Sequence, residues 1–253
     1  MANYYYIVAG LPDISFDDSK AAYTVAQFRE EVYASLSASD RKVMDLLLLE
    51  DTCRLLIKDR ENFEPTDDMP QFIGAFLREL KDESWREKAA FAEDRLWGLF
   101  YEYAMASSNG FVRSWYEFNL NLNNIMTAIT ARKYNLDIQK VIVGGGDIAN
   151  ALRTSGARDW GLSQELDYFE DVARLTEEDD LSQRERKADQ IRWRWLEENT
   201  FFNYFSVEKL FSYMVRLGMV ERWSDLDKEK GQQLFRELIG TLKDQTSVPA
   251  EFR

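Results

Sequence analysis

The side chains able to do chemistry are 45 Asp and Glu, a single cysteine and a run of three glycines, and histidine is absent. Without histidine there is no Ser-His-Asp triad, no Cys-His pair, no His-ligated metal and no HExxH site. Cys53 lies inside the leucine-rich run Leu46 to Leu56 with no neighbouring base to lower its pKa, so it reads as a small buried hydrophobe rather than a nucleophile. Gly144-Gly145-Gly146 follows Val141-Ile142-Val143 in the manner of a phosphate loop, yet GGGDIA fits neither GxGxxG nor GxxxxGKS/T, and Asp147 repels phosphate. Glu177, Glu178, Asp179 and Asp180 lack the alternation and bend glycine of a calcium loop, and read as an acidic helix start favoured by the helix dipole. Pairs such as Glu93 with Asp94 and Glu197 with Glu198 have no apolar surroundings to split their pKa values. The expectation is a chain without catalytic residues, without a metal site and without a cofactor.

Two further groups point to contacts rather than reactions. Arg184, Arg186, Lys187, Arg192 and Arg194, interleaved with Trp193 and Trp195, make 181–198 the most basic segment. They either pair with the nearby acidic run or form a surface for an acidic partner. Asn119, Asn121, Asn123 and Asn124 sit in a helical pattern that Asn disfavours, which fits side chains bonding a neighbouring helix or loop.

The elements that must position these residues are helical. Trp85, Ala89, Ala92, Leu96, Leu99, Tyr103 and Ala106 alternate spacings of four and three, as do Phe111, Trp115, Phe118, Leu122, Ile125 and Ile129. Ser107 to Gly110 suits a tight turn between them, so the pattern predicts a long αα-hairpin over about 84–133. Other helices are expected from Val25 to Leu36, from an N-cap at Ser39 or Asp40 to Leu56, near 70–80, and near 163–175, 181–198, 206–218 and 224–243. The spacing of Ser182 and Glu185 has the form of a capping box. Tyr4-Tyr5-Tyr6-Ile7-Val8 before Gly10-Leu11-Pro12 reads as a short extended segment. Residues 137–162 read as irregular with one short helix, a looser division near 135–162 within one helical protein spanning 1–253.

Composition agrees: 45% hydrophobic and 14% aromatic residues with only four Pro and 12 Gly favour an all-α fold. The net charge of -13 argues against nucleic acid, which needs a basic footprint, and against anionic lipid. The longest stretch without charge, Phe118 to Ala131, holds four Asn and is shorter than the roughly 20 residues of a spanning helix, so no direct membrane insertion is expected. The unpaired cysteine and a start without a basic n-region predict a cytoplasmic location.

Segment 116–134, YEFNLNLNNIMTAITARKY, resembles a helix of the C-type subunit of bacterial and archaeal V-type ATPases, whose eukaryotic counterpart is the d-type subunit. The likeness is carried by Glu117, Asn119, Leu120, Asn123, Asn124, Ile125 and Arg132. The opening Asn3 to Pro12, Asp159-Trp160-Gly161-Leu162 and Val220-Glu221-Arg222-Trp223 are similar to an uncharacterised bacterial family encoded among V-type ATPase genes. The C-type subunit is built from three related helical units. Weak internal copies align at Ile125–Ile129, Leu210–Met214 and Leu55–Asp59, although the second has Glu208 in place of Asn123 and the third lacks the Asn-Leu core. The resemblance implies a non-catalytic coupling protein that links the central stalk to the membrane rotor ring in a proton- or sodium-transporting complex. It would then lie at the inner membrane only through protein partners. Two other readings stay open: a stand-alone helical adaptor, and an enzyme acting on a nucleotide or sugar through the glycine-rich 141–162 stretch.

Overall fold

The structure, a computed structural model, describes residues 4–21, 23–59, 62–66, 69–81 and 91–245, with side chains to residue 229. Every regular element among them is a helix: α1 Tyr5–Gly10, α2 Val25–Tyr33, α3 Ala38–Lys58, α4 Gln71–Lys81, α5 Ala92–Met105, α6 Gly110–Lys133, α7 Ile138–Val141, α8 Asp147–Thr154, α9 Phe169–Leu175, α10 Leu181–Thr200 and α11 Val207–Gln245. The all-α expectation holds.

The hairpin is α5 and α6, turning through Ala106 to Asn109, and its halves pack on each other. Trp85 and Ala89, from the first half of the expected pattern, lie outside the described residues. Asn109 sets the turn by accepting from the Val112 amide at 3.1 Å, while its own side-chain amide donates to Glu208 at 2.8 Å. That bond ties the hairpin tip to the start of α11.

Helix α6 is the spine. It packs against α5, α7, α8, α9 and α10, while α11 lies against α2, α3 and α10. Aromatic rings fill the junction: Tyr116 meets Phe100 and Phe211 edge-on at 5.2 and 6.3 Å, and Trp195 stacks on Phe118 at 5.1 Å. One hydrophobic cluster runs from Tyr4 and Phe28 through Leu122 and Leu162 to Leu217, so the 135–162 stretch shares the core of the helices around it. Buried aromatics of this size, close-packed in fixed rotamers, make the body stiff.

Several boundaries differ from the expectation, each for a local reason. Residues 5–10 form α1 rather than an extended segment. Tyr4 is buried, its hydroxyl donates to Asp40 at 2.5 Å and accepts from the Ser37 amide, and its own amide donates to Phe205 O at 2.9 Å. With no strand among the described residues to pair with, the backbone beyond this anchor is satisfied by winding a helical turn, Val8 N to Tyr4 O at 2.9 Å. Helix α3 is capped by Ser37, earlier than Ser39 or Asp40; its hydroxyl accepts from the Asp40 amide at 3.2 Å. Helix α10 is capped by Asp180, which accepts from the Gln183 amide, and not by Ser182. The stretch 137–162 holds two short helices, and 206–243 is one helix, α11, of 39 residues. Gly218 costs that helix about 1 kcal/mol of propensity, and an added Cβ would make only an ordinary contact with a Val25 methyl, at 3.8 Å.

Candidate functional site

The residues of the 116–134 segment divide between two faces of α6. Asn119 and Asn123, one turn apart, face α10. Their side-chain carbonyls accept from Nε and Nη2 of Arg192, both at 2.9 Å. Asn119 also donates to Trp115 O at 2.8 Å, and Asn123 to the Tyr101 hydroxyl at 3.2 Å. Arg192 then reaches Asp189 at 3.2 Å, and the buried Asp189 carboxylate accepts from the Trp223 indole at 2.9 Å and from Arg222. One polar chain therefore joins α6, α10 and α11. The asparagine cluster bonds a neighbouring helix, as its composition implied.

The other face looks at the glycine-rich loop. The Asn124 side chain pairs with Val143 as a strand would, donating to its carbonyl and accepting from its amide, both at 2.9 Å. Arg153 donates to Ile142 O and Gly144 O, each at 2.8 Å. Gly144 has φ +70°, a conformation that favours glycine, and a Cβ there would stand a tight 3.2 Å from the Leu120 side chain. Gly146, at φ +98°, begins α8. Ile125 is fully buried beneath this face. At the end of α6, Arg132 lies 3.8 Å over the Trp160 ring and donates to Ala157 O and Arg158 O, fixing the Asp159-Trp160-Gly161-Leu162 loop. In that loop the Ser163 hydroxyl and the Gly161 amide hold the Asp159 carboxyl below its ordinary range.

The basic residues of α10 are largely spent within the chain. Arg186 pairs with Asp17 at 3.1 Å and lies over Phe16 and Trp223; Lys187 pairs with Glu178 at 2.6 Å; Arg194 pairs with Asp171 at 3.0 Å. Lys187 keeps the Glu178 carboxyl below its ordinary range, so the acidic run 177–180 serves as ion-pair partner and helix cap. Arg184 is half-buried and forms no ion pair among the described residues. Cys53 is fully buried, and burial, reinforced by Glu50, pushes its thiol up to about 12. It is protonated at neutral pH.

Two features of the surface emerge only from the packing, the first of them beside the glycine-rich stretch. The first is a cleft of about 1130 Å³ between α5, α6 and the 142–148 loop, where Glu117, Leu120 and the three glycines meet. The second is an aromatic corner. Tyr5 and Tyr6 on α1 and Phe201, Phe202, Tyr204 and Phe205 between α10 and α11 are all exposed, Tyr6 by 91% and Phe202 by 89%. They touch ring to ring: Tyr6 on Tyr5, Tyr5 on Phe205 at 4.7 Å, Phe205 on Tyr204, Tyr204 on Phe201 and Phe201 on Phe202. The signal available in the sequence is a run of four aromatics in five residues at a helix junction, where the core has no use for them. No group of three or more His, Cys, Asp or Glu that could hold a metal ion occurs among the described residues, and none of their helices is long and apolar enough to cross a membrane.

A family model described as "Protein of unknown function (DUF2764)" matches residues 1–68 and 50–246. The chain belongs to the DUF2764 family. No curated protein and no solved structure matches it. In this DUF2764 chain, then, the 116–134 segment organises the interior, while the unexplained surface is the aromatic corner and the cleft.

Proposed function

We propose that the protein is a non-catalytic docking component of a V-type ATPase that couples the central stalk to the membrane rotor ring, the role of the C-type subunit. The observation that carries the docking role is the aromatic corner. Contiguous exposed rings cost solubility, and patches of this kind mark protein interfaces. Tyr and Phe supply large contact area with few rotors to freeze, which suits a contact that must hold under load. The corner is backed by stiff structure, since Tyr4 and Phe205 are bonded through their backbones and Tyr4 is anchored on α3.

The occupant is a protein rather than a lipid surface. Glu198, Glu197 and Glu208 flank the aromatic loop in the sequence, and the chain carries a net charge of -13, a poor match for anionic headgroups. The ATPase assignment rests on the resemblance of 116–134 and of the family stretches. The same segment also has a complete structural explanation in its bonds to Arg192 and Val143, and this favours a second reading, a helical adaptor that uses the same corner outside the ATPase.

The two readings separate on co-purification. Tagged wild-type protein is expected to bring down stalk and rotor-ring proteins, and a Tyr6→Ser, Phe202→Ser variant of equal stability to lose them. Recovery of other proteins through the corner, with no ATPase component, assigns the adaptor role. Equal recovery by wild type and variant removes the corner from either reading.

A further inference from the structure

We infer that the cleft between the hairpin and the glycine-rich loop is a second docking site, one that takes a lysine- or arginine-bearing amphipathic helix of a partner protein. None of the six corner aromatics lines it, and the inference stands whichever complex the corner serves.

The floor of the cleft is apolar, with Tyr101, Met105, Leu120, Val143 and Leu166 contributing. The charges around it are unbalanced. Asp94, Glu102, Glu117, Asp147 and Glu165 line it, and none forms an ion pair among the described residues. Among the described residues two cations line it, and both form their ion pairs outside it: Arg95 holds Glu79 at 3.0 Å, with the Glu102 charge acting on it as well, and Lys140 is 3.6 Å from Asp137. Burial raises the Asp94 carboxyl, and Glu93 raises it further, in line with the excess of negative charge among the described residues of the cleft.

An apolar floor under an acidic rim complements a helix with one apolar face and basic flanks. At about 1130 Å³ the cleft has room for a peptide segment. A phosphate-bearing ligand would meet the carboxylates. The walls are preformed, because Asn124 and Arg153 hold the loop at Val143, Ile142 and Gly144. Little ordering is then left to oppose binding.

The test uses the full chain and a synthetic amphipathic helical peptide of leucine and lysine, with a glutamine-for-lysine counterpart, read by fluorescence anisotropy at low and high salt. The lysine peptide is expected to bind, weakening with salt, and the glutamine peptide to bind about tenfold less tightly. Glu117→Gln with Glu165→Gln should weaken the lysine peptide about fivefold to tenfold, and Glu30→Gln with Glu185→Gln, remote exposed carboxylates, should not. Gly145→Trp fills the cleft without changing charge, since an added Cβ at Gly145 meets nothing within 4 Å, and should abolish binding with an unchanged melting temperature. Equal losses in the two charge variants, wild-type binding by Gly145→Trp, equal binding of the glutamine peptide, or complete displacement of the peptide by low concentrations of spermine overturns the proposal. None of these results bears on the aromatic corner.

Discussion

The middle of α6 and the aromatic corner depart from the usual division of inside and outside in opposite directions. On α6, Asn119 and Asn124 are buried where hydrophobes would ordinarily sit, and at the corner Tyr6 and Phe202 are exposed where polar residues would. The energetic accounts differ accordingly. Each buried asparagine has its side chain bonded, to Arg192 and Trp115 or to Val143, so the interior needs no further partner there. The corner rings contact one another and stay largely exposed, and their ring carbons gain nothing from water. Buried polarity that is satisfied reads as architecture, whereas exposed apolar surface without cover reads as an interface.

Substitutions at the two places should therefore behave differently, and the largest effect is expected at the hub of the polar chain. Asp189→Ala leaves Arg192 without its carboxylate, though still bonded to Asn119 and Asn123, and the Trp223 indole without its acceptor. Breaking a buried charge pair costs about 3 kcal/mol or more, measurable as a shift in urea midpoint at unchanged slope. A cost under about 1 kcal/mol would mean that the chain of bonds is decorative and would blur the contrast. Asn124→Ala comes next. It leaves the Val143 amide and carbonyl without their partner and should cost about 2 kcal/mol, with faster proteolysis of the 142–148 loop than in wild type. Phe202→Ser, at the corner, should change stability by no more than about 0.5 kcal/mol while removing partner recovery. A large destabilisation there would make the corner a piece of core.

The smallest effect is a surface control. The Arg95 hydrogen bond holds the Glu79 carboxyl below its ordinary value, partly opposed by burial. A depressed carboxylate contributes stability that is present above its unfolded pKa and is lost as pH falls through the folded one. Glu79→Gln should accordingly cost a few tenths of a kcal/mol at neutral pH and nothing once the carboxyl is protonated in both states, followed by thermal melts from about pH 7 down to about pH 3.

The same contrast explains what the sequence could and could not disclose. The hairpin is legible because its ring and aliphatic positions keep the helical period, and the role of the asparagines because four of them in one helix require partners. The identities of those partners are not legible: Arg192 lies 73 residues from Asn119, and no local pattern joins them. Helix α1 departs from the extended expectation because Tyr5, Tyr6, Ile7 and Val8 have strand propensity, and only the anchoring of Tyr4 on Ser37, Asp40 and Phe205 decides otherwise. The N-caps of α3 and α10 differ from expectation because several Ser and Asp near each helix start could cap, and the choice depends on which backbone turns first. The basic helix suits either pairing within the chain or an acidic partner, and the placement of Asp17, Asp171, Glu178 and Asp189 around it favours the first. The corner needs both chain segments at once, α1 and the α10–α11 junction.

The docking account is tested most directly by site-specific photo-crosslinking in cells. A benzoylphenylalanine introduced at Phe202 in the otherwise native chain is expected to crosslink to a central-stalk or rotor-ring protein of a V-type ATPase, and the same group at the remote, exposed Glu30 is not. Identical crosslink patterns at the two positions, or none at Phe202 in a stably folded and fully expressed variant, would contradict it.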